Sequence, residues 1–385
     1  MSGARVAADG GTLQAELCTD EREFTALGPA WERLYRRCGT ATPFQSHAWL
    51  HSWWTSYGTP GRLRLVLVRD GSGELRAAAP LMRTGVPLPR LVPLGGAISD
   101  YGDVLLDDEH ADRAADALTQ TLWTAARTAL IDIREVRPGG AAEQVYARWP
   151  GPRRQLADSV CLELPAHPMD KLLTRMPPGR AQRIHTKIRK LGELGMEHRF
   201  VRPDEVDSAL RTMLDLHRLQ WATRKVTAEH LRPRFHEHLA RSLGPLVRSG
   251  DAVVTEFRAG TDVLAVDVTL LTPRLAGNYL YGAHPRLREW KADIATMLLH
   301  ASADHVARDG RQVLSLLRGA EPYKFRWRPD TVVNQRLLLA RRRTAPLLSA
   351  VACEASARNR ARELVRRRKE RSPTERPPVV RPPVV

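Results

Sequence analysis

One order of elements occurs twice in this chain, and it limits the fold more than any other feature of the sequence. In the first half, the spacing of Leu27, Trp31 and Leu34 predicts one helix, and SHAWLHSWWTSYG, opened by Ser46 as N-cap, predicts a second. The hairpin LRLVLVRDGSGELRAAAPLMR follows, turning at Asp70 to Gly73. Then come the run RLVPLGGAISDYGDVLLDD, a helix of about twenty residues from Glu109, and the strand IDIREVRP. The second half repeats this. MLDLHRLQWAT and LRPRFHEHLARSL read as helices, and DAVVTEFRAGTDVLAVDVTLLTP as a hairpin turning at Ala259 to Asp262. AGNYLYGAHP reads as a strand, ADIATMLLHASADHVARDG as a helix ended by Gly310, and QVLSLLRG as a strand. TVVNQRLLLARRR reads as a last pair of strand halves.

Helix, helix, hairpin, strand, helix, strand, stated twice, predicts a duplicated α/β unit. At 385 residues the chain exceeds what one core organises, so two domains are expected. The reading is a disordered N-terminus over 1–20, domains over 21–155 and 156–345, and a basic helix with a Pro-rich disordered tail over 346–385. The linker falls in YARWPGPRRQLADS, where Pro, Gly and Arg cluster. Trp49, Trp53 and Trp54 are expected to pack the core and the domain interface.

The formal net charge of +17 creates a field that favours anions: nucleic acid, phosphorylated cofactors or anionic surfaces. Part of that surplus lies beyond residue 353, where ten cations face four acids. The four cysteines are scattered, which argues against a disulfide framework or a zinc site, and no metal is expected. No apolar run is long enough to cross a bilayer, and MSGARVAADGGTLQAEL lacks the build of a secretory signal. A cytoplasmic protein without integral membrane contact is expected.

SLLRGAEPYKFRWRP, residues 315–329, does not look like core. Arg318-Gly319 ends an apolar run, and Gly319 permits a turn that other residues resist. Arg318 and Glu321 are placed to pair across that turn, and Lys324 to meet an anion. Tyr323, Phe325 and Trp327 alternate by two. The competing reading is a structural salt bridge with aromatics capping the core. Asp267 interrupts an apolar strand, either on its solvent face by alternation or in a cleft. His217 stands at helical spacing from Leu214 and Trp221, the pattern of a packed histidine.

TPFQSHAWLHSWW, LRAAAPLMR, LGGAISDYGD and LRGAEPYKFRW, in that order, resemble the CelD/BcsL-type, BioF-like acetyltransferase family of the GNAT superfamily. Its members are tandem GNAT folds related to the Fem-type aminoacyl transferases, and the resemblance covers roughly residues 20 to 335. It implies an α/β fold of tandem GNAT-like domains, each a mixed, mainly antiparallel sheet flanked by helices. It also implies transfer of an acyl group, acetyl first of all, from acyl-CoA to an amine of a small molecule or a cell-envelope or polysaccharide precursor. The splayed strand that would bond the carrier arm is NYLYGAH, with Gly282 at the close approach. The phosphate-binding segment is PRLREWKADIATML, with Arg286, Arg288 and Lys291, joined by Lys324. That segment lacks the glycines usual in the superfamily. Fem-type relatives use aminoacyl-tRNA instead, which a +17 chain would also suit.

An ammonium nucleophile needs a general base, for which the candidates are His284 first, at the end of that strand, then Asp267 and His217, with Tyr281 or Tyr279 as proton donor to the leaving group. Asp100, Tyr101 and Asp103 in AISDYGD are expected on the acceptor side, with His217, Trp221, Arg318, Glu321 and Tyr323. Ser315 stands where relatives often carry an aspartate. The first domain's LLDDEHADR is acidic, so that domain is expected to have lost carrier binding and to shape the acceptor pocket. Arg180, Arg183, Lys187, Arg189 and Lys190 read as the solvated face of a helix, with phosphate or tRNA as a further role. A catalytically idle nucleic-acid or polysaccharide binding protein on the same scaffold is the alternative from another class.

Overall fold

A computed structural model describes residues 13–85, 88–221 and 228–357. Its strands are β1 (Gln14–Cys18), β2 (Leu63–Arg69), β3 (Leu75–Thr84), β4 (Arg90–Pro93), β5 (Leu105–Leu106), β6 (Leu130–Val136) and β7 (Arg153–Pro165) in the first half. The second half adds β8 (Met196–Phe200), β9 (Ala252–Ala259), β10 (Asp262–Leu271), β11 (Leu275–Ala283), β12 (Val313–Arg318) and β13 (Asp330–Leu339). They form one sheet in the order β1-β2-β3-β4-β6-β13-β7-β12-β11-β10-β9-β8, with β5 paired to β3. Neighbours run antiparallel except at β4 with β6 and β11 with β12.

Outward from the central β13–β7 pair, the two arms carry equivalent strands in equivalent order, as the repeated sequence requires. The last strand of each half is exchanged. β7 follows the first half in sequence but lies beside β12, and β13 follows the second half but lies between β6 and β7. Both parallel strands also bulge at the same place. Glu135 in β6 and Leu317 in β12 have φ of 59° and 55°, a backbone that L-residues adopt at a cost.

Helices bury both faces of the sheet. His47–Tyr57 packs against Pro233–Arg248, where Ser52 Oγ donates to the His238 carbonyl at 2.8 Å and the Trp49 and His238 rings meet edge-on at 4.4 Å. Trp49, Trp53 and Trp54 are all buried in that seam. Ala111–Ala125 covers the other face of the first half over Val66, Val68, Ala79 and Ile131, and Ile294–Arg308 backs the second half.

Several elements differ from the sequence reading. Residues 14–18, expected to be disordered, pair with β2 as an edge strand. Half of the expected linker, Arg153 to Ser159, is the start of β7, so the boundary at 155/156 falls inside a strand. β8 was not foreseen, the helix after Glu109 is fifteen residues rather than about twenty, and DTVVNQRLLL is one strand. A helix occupies 345–357; the rest of the expected tail, like residues 1–12, lies outside the described residues.

Candidate active site

β11 and β12 pair only from Leu275 to Gly277 and then part. Between them opens a cavity of about 720 Å³, walled by Asn278, Tyr279, Leu280 and Tyr281 of β11 and by Leu316, Leu317 and Arg318 of β12. Ala295, Leu298 and Leu299 close one side from the helix Ile294–Arg308, and Trp53, Tyr57, Ile98 and Asp100 close another from the first half.

The cavity gathers Asp267, Tyr281, Asp100, Arg318, Glu321, Tyr323 and Lys324 out of the residues singled out from the sequence. Asp267 lies opposite Tyr281 in the β10–β11 pairing and is 3 % exposed. Burial pushes its carboxyl up to about 7, with the Thr269 hydroxyl, 3.1 Å from Oδ2, pulling the other way. A carboxyl poised near neutrality can hold or release a proton at working pH. Tyr281 is held by Gln220, whose Nε2 donates to the phenol oxygen at 3.2 Å, and burial raises its pKa.

Arg318 does not pair with Glu321. Its Nε meets Asp100, Nη1 lies 3.3 Å from Glu135, and Nη2 donates to the Ala97 carbonyl, so it ties the second half to the first. Burial raises the Asp100 carboxyl while Arg318 opposes the rise. Glu321 pairs instead with Lys324 at 2.8 Å, and Lys324 Nζ also donates to the carbonyls of Arg318 (2.9 Å) and Gly319 (3.4 Å). With its donors spent on this turn, Lys324 has a local explanation. The alternation from Tyr323 to Trp327 is not a strand: Lys324–Trp327 is a 3-10 turn.

The other expected site residues lie elsewhere. His284 accepts the Arg286 backbone N–H at Nδ1 (3.1 Å), outside the cavity lining. A Cβ at Gly282 would meet the Met213 carbonyl at 2.0 Å and His217 N at 2.7 Å, so the close approach there is made by the helix Val206–Trp221. That helix also occupies the strand end. His217 Nδ1 bonds the Tyr281 carbonyl at 2.9 Å and Gln220 Oε1 accepts from Ala283 N at 3.2 Å. His217 further contacts His230 at 3.3 Å; burial lowers both, His230 to about 4. The Trp221 side chain lies outside the described residues.

Arg286 pairs with Asp262 at 2.9 Å and covers the Trp290 ring; Arg288 and Lys291 are exposed and absent from the lining. Tyr101 is buried between the halves with its hydroxyl 2.9 Å from Ser315 Oγ and 3.1 Å from Glu163, so Ser315 faces the seam rather than the cavity. Asp103 takes the backbone N–H groups of Val104, Ala141 and Ala142 at 2.7 to 2.9 Å, at the start of the helix Ala142–Arg148. Burial pushes it up to about 7 while those donors pull it down.

Asp293 escaped the sequence reading, although an Asp before an apolar periodic run is an N-cap signal. Its carboxylate accepts Thr296 N at 2.9 Å and is gripped by Lys187 at 2.6 Å and by both terminal nitrogens of Arg326 at 3.0 Å. The start of Ile294–Arg308, beside the cavity, therefore already holds an anion of its own, and the cations keep that carboxyl well below its usual range.

Residues 179–325 match the family described as Acetyltransferase (GNAT) domain. A search of curated proteins found no match. Among solved structures the chain is similar to FemX, with 10 % identity and a TM-score of 0.58 over 88 % of this chain and 99 % of that one. It is similar to L-PGS from Bacillus licheniformis, with 10 % identity and a TM-score of 0.54 over 87 % and 96 %. A conserved protein from Bacteroides thetaiotaomicron, 11 % identical, gives 0.57 over 85 % and 100 %. These likenesses concern the fold. The second half is thus similar to a GNAT domain over residues 179–325, within a fold of the GNAT acyltransferase type that the described chain shares with FemX. No helix among the described residues is long and apolar enough to cross a membrane.

Proposed function

We propose that the protein transfers an activated acyl group to an amine held in the cavity between β11 and β12, with Asp267 as the general base. The observation that carries this reading is a buried carboxyl near neutrality lining a cavity at a parted parallel strand pair. Asp267 in its ionised form draws an ammonium group in, while Asp100 and Glu321 of the same lining are held by Arg318 and Lys324. The amine nitrogen forms the C–N bond, the bond from the acyl carbon to its carrier breaks, and the nitrogen gives up two protons. One goes to Asp267 and one to the leaving atom, with the Tyr281 hydroxyl placed to relay the second.

Two contacts favour an aminoacyl ester of tRNA over acyl-CoA as donor. A diphosphate at the start of Ile294–Arg308 would meet the Asp293 carboxylate. A carrier arm along the end of β11 would have to displace His217 and Gln220 from Tyr281 and Ala283. The similarity to FemX and the charge of +17 agree with that donor. A kinship nearer the CelD/BcsL type would instead restore acyl-CoA, with acetyl as the group transferred. The test is amine-dependent loss of label from aminoacyl-tRNA and, in parallel, from acetyl-CoA. We expect loss from the tRNA ester, slowed by at least ~10²-fold in Asp267→Asn. Consumption of acetyl-CoA alone would overturn the donor reading, and consumption of neither would overturn the enzyme.

A further inference from the structure

A second cavity, of about 600 Å³, opens in the first half where β4 and β6 part after pairing only at Arg90 and Leu91. It is the counterpart of the first cavity across the repeat, and the two share Ala97 and Arg318 as a common wall. Its chemistry differs. The strand position equivalent to Asp267 is Ala79, because the bulges that follow Val263 and Leu75 bring Ala265 and Ala77 into register, and it is packed in the core beneath Ala111–Ala125, so this cavity has no base at that place.

Its lining carries four guanidinium groups, Arg90, Arg134, Arg318 and Arg336, against the carboxylates of Asp132 and Glu135. Three of the four are satisfied within the protein. Arg336 bonds both Asp132 oxygens at 2.7 and 2.6 Å, Arg134 is held by Asp158, and Arg318 by Asp100 and Glu135. Arg90 is the exception: its ion-pair contacts, to Asp132 at 3.6 Å and Glu354 at 3.7 Å, are too long for good hydrogen bonds. Val92, Pro93 and Leu94 supply an apolar wall beside it.

We propose that the second cavity holds the far end of the acceptor, and that this end is a carboxylate on an apolar spacer, gripped by Arg90. The amine at the other end passes Arg318 and reaches Asp267. A guanidinium fork with donors to spare at a largely apolar cavity suits a carboxylate, which it bonds through two oxygens. The acceptor class is then a linear amino-carboxylic acid or a short peptide rather than a simple amine. This rests on the first cavity being the amine site.

Calorimetric binding of 6-aminohexanoate, 8-aminooctanoate and 12-aminododecanoate, each against the alkylamine of equal length, reads the carboxylate directly. For at least one length the amino acid binds at least ~10-fold tighter, as a charge-assisted bidentate contact allows. Arg90→Gln abolishes that advantage, and Val92→Trp, which fills the cavity beside Arg90, does the same with the fold checked by circular dichroism. Equal affinity of acid and amine at every length, or an advantage untouched in both variants, overturns the proposal. Arg90-dependent binding without transfer from any donor leaves this site standing and removes the enzymatic reading.

Discussion

At the scale of single residues, Asp267 is where chemistry and stability pull apart. Its carboxyl is neutral in the folded chain up to about 7 but ionises near 3.8 when exposed, so between those values the folded state binds more protons than the unfolded one. Stability therefore declines as pH rises through that window, by at most ~4 kcal/mol for a shift of this size. The reactive form grows over the same range, and the transfer rate should climb through about pH 7. Asp267→Asn is expected to lose ~10²- to 10⁴-fold in rate and to be more resistant to urea than the parent at about pH 8, with the two converging toward pH 4. A variant both slower and less stable at pH 8 would show that the carboxylate is bonded in a way the cavity does not reveal. The sequence offered Asp267 without deciding between solvent and cleft, because alternation assigns a side of the strand and here helices cover both sides of the sheet. His284 was preferred for its place after a parted strand, but the chain turns there and its ring serves the next backbone amide.

At the scale of elements, the order of helices and strands was legible because periodicity and turn residues are local, whereas the exchange of β7 and β13 was not. The start of β7 is rich in Arg and exposed, lacking the apolar alternation that marks a strand, and its pairing is set by a strand about 180 residues away in the hydrogen-bonding partners Gln155 and Gln335. Glycine reading had a similar limit. Gly282 was expected where the carrier arm approaches the backbone, but sequence cannot name what approaches a glycine, and the carbonyl of Met213 lies there. Gly282→Ala is expected to destabilise by ~1–3 kcal/mol through overpacking, read as a lower urea midpoint, and to loosen the hold of His217 on Tyr281. An unchanged midpoint would mean that Val206–Trp221 sits farther from β11. Asp293→Ala tests the helix start. Loss of an N-cap costs ~1 kcal/mol, and the freed Lys187 and Arg326 should give the variant a measurable affinity for inorganic pyrophosphate that the parent lacks. Equal pyrophosphate binding by both would return acyl-CoA as the donor.

At the scale of the molecule, two repeats that share a sheet and trade their last strands should behave as one unit. Removing either half strips an edge from the other, so unfolding followed by tryptophan fluorescence and by circular dichroism should give coincident urea transitions, and two separated transitions would count against the exchange. The second tie between the halves is the helix seam at Ser52 and His238. There the imidazole is fully buried, its Nδ1 lies 3.1 Å from Ser52 Oγ, and its Nε2 has no partner. Burial lowers its pKa to about 3, with the Arg241 charge adding to the effect. The unfolded chain takes up a proton near 6.5 that the folded seam refuses. Stability is therefore fully present above that value and is lost as pH falls from 6.5 toward 3, the opposite direction to Asp267. Replacing the ring removes this one proton from the balance. His238→Gln should be less stable than the parent at about pH 7.5, since it gives up the edge contact with Trp49, yet lose less stability per pH unit between about 6 and 4. The urea midpoint measured across that range decides it: parallel slopes would mean that the seam admits a proton without parting, and that the halves are held by the exchanged strands alone.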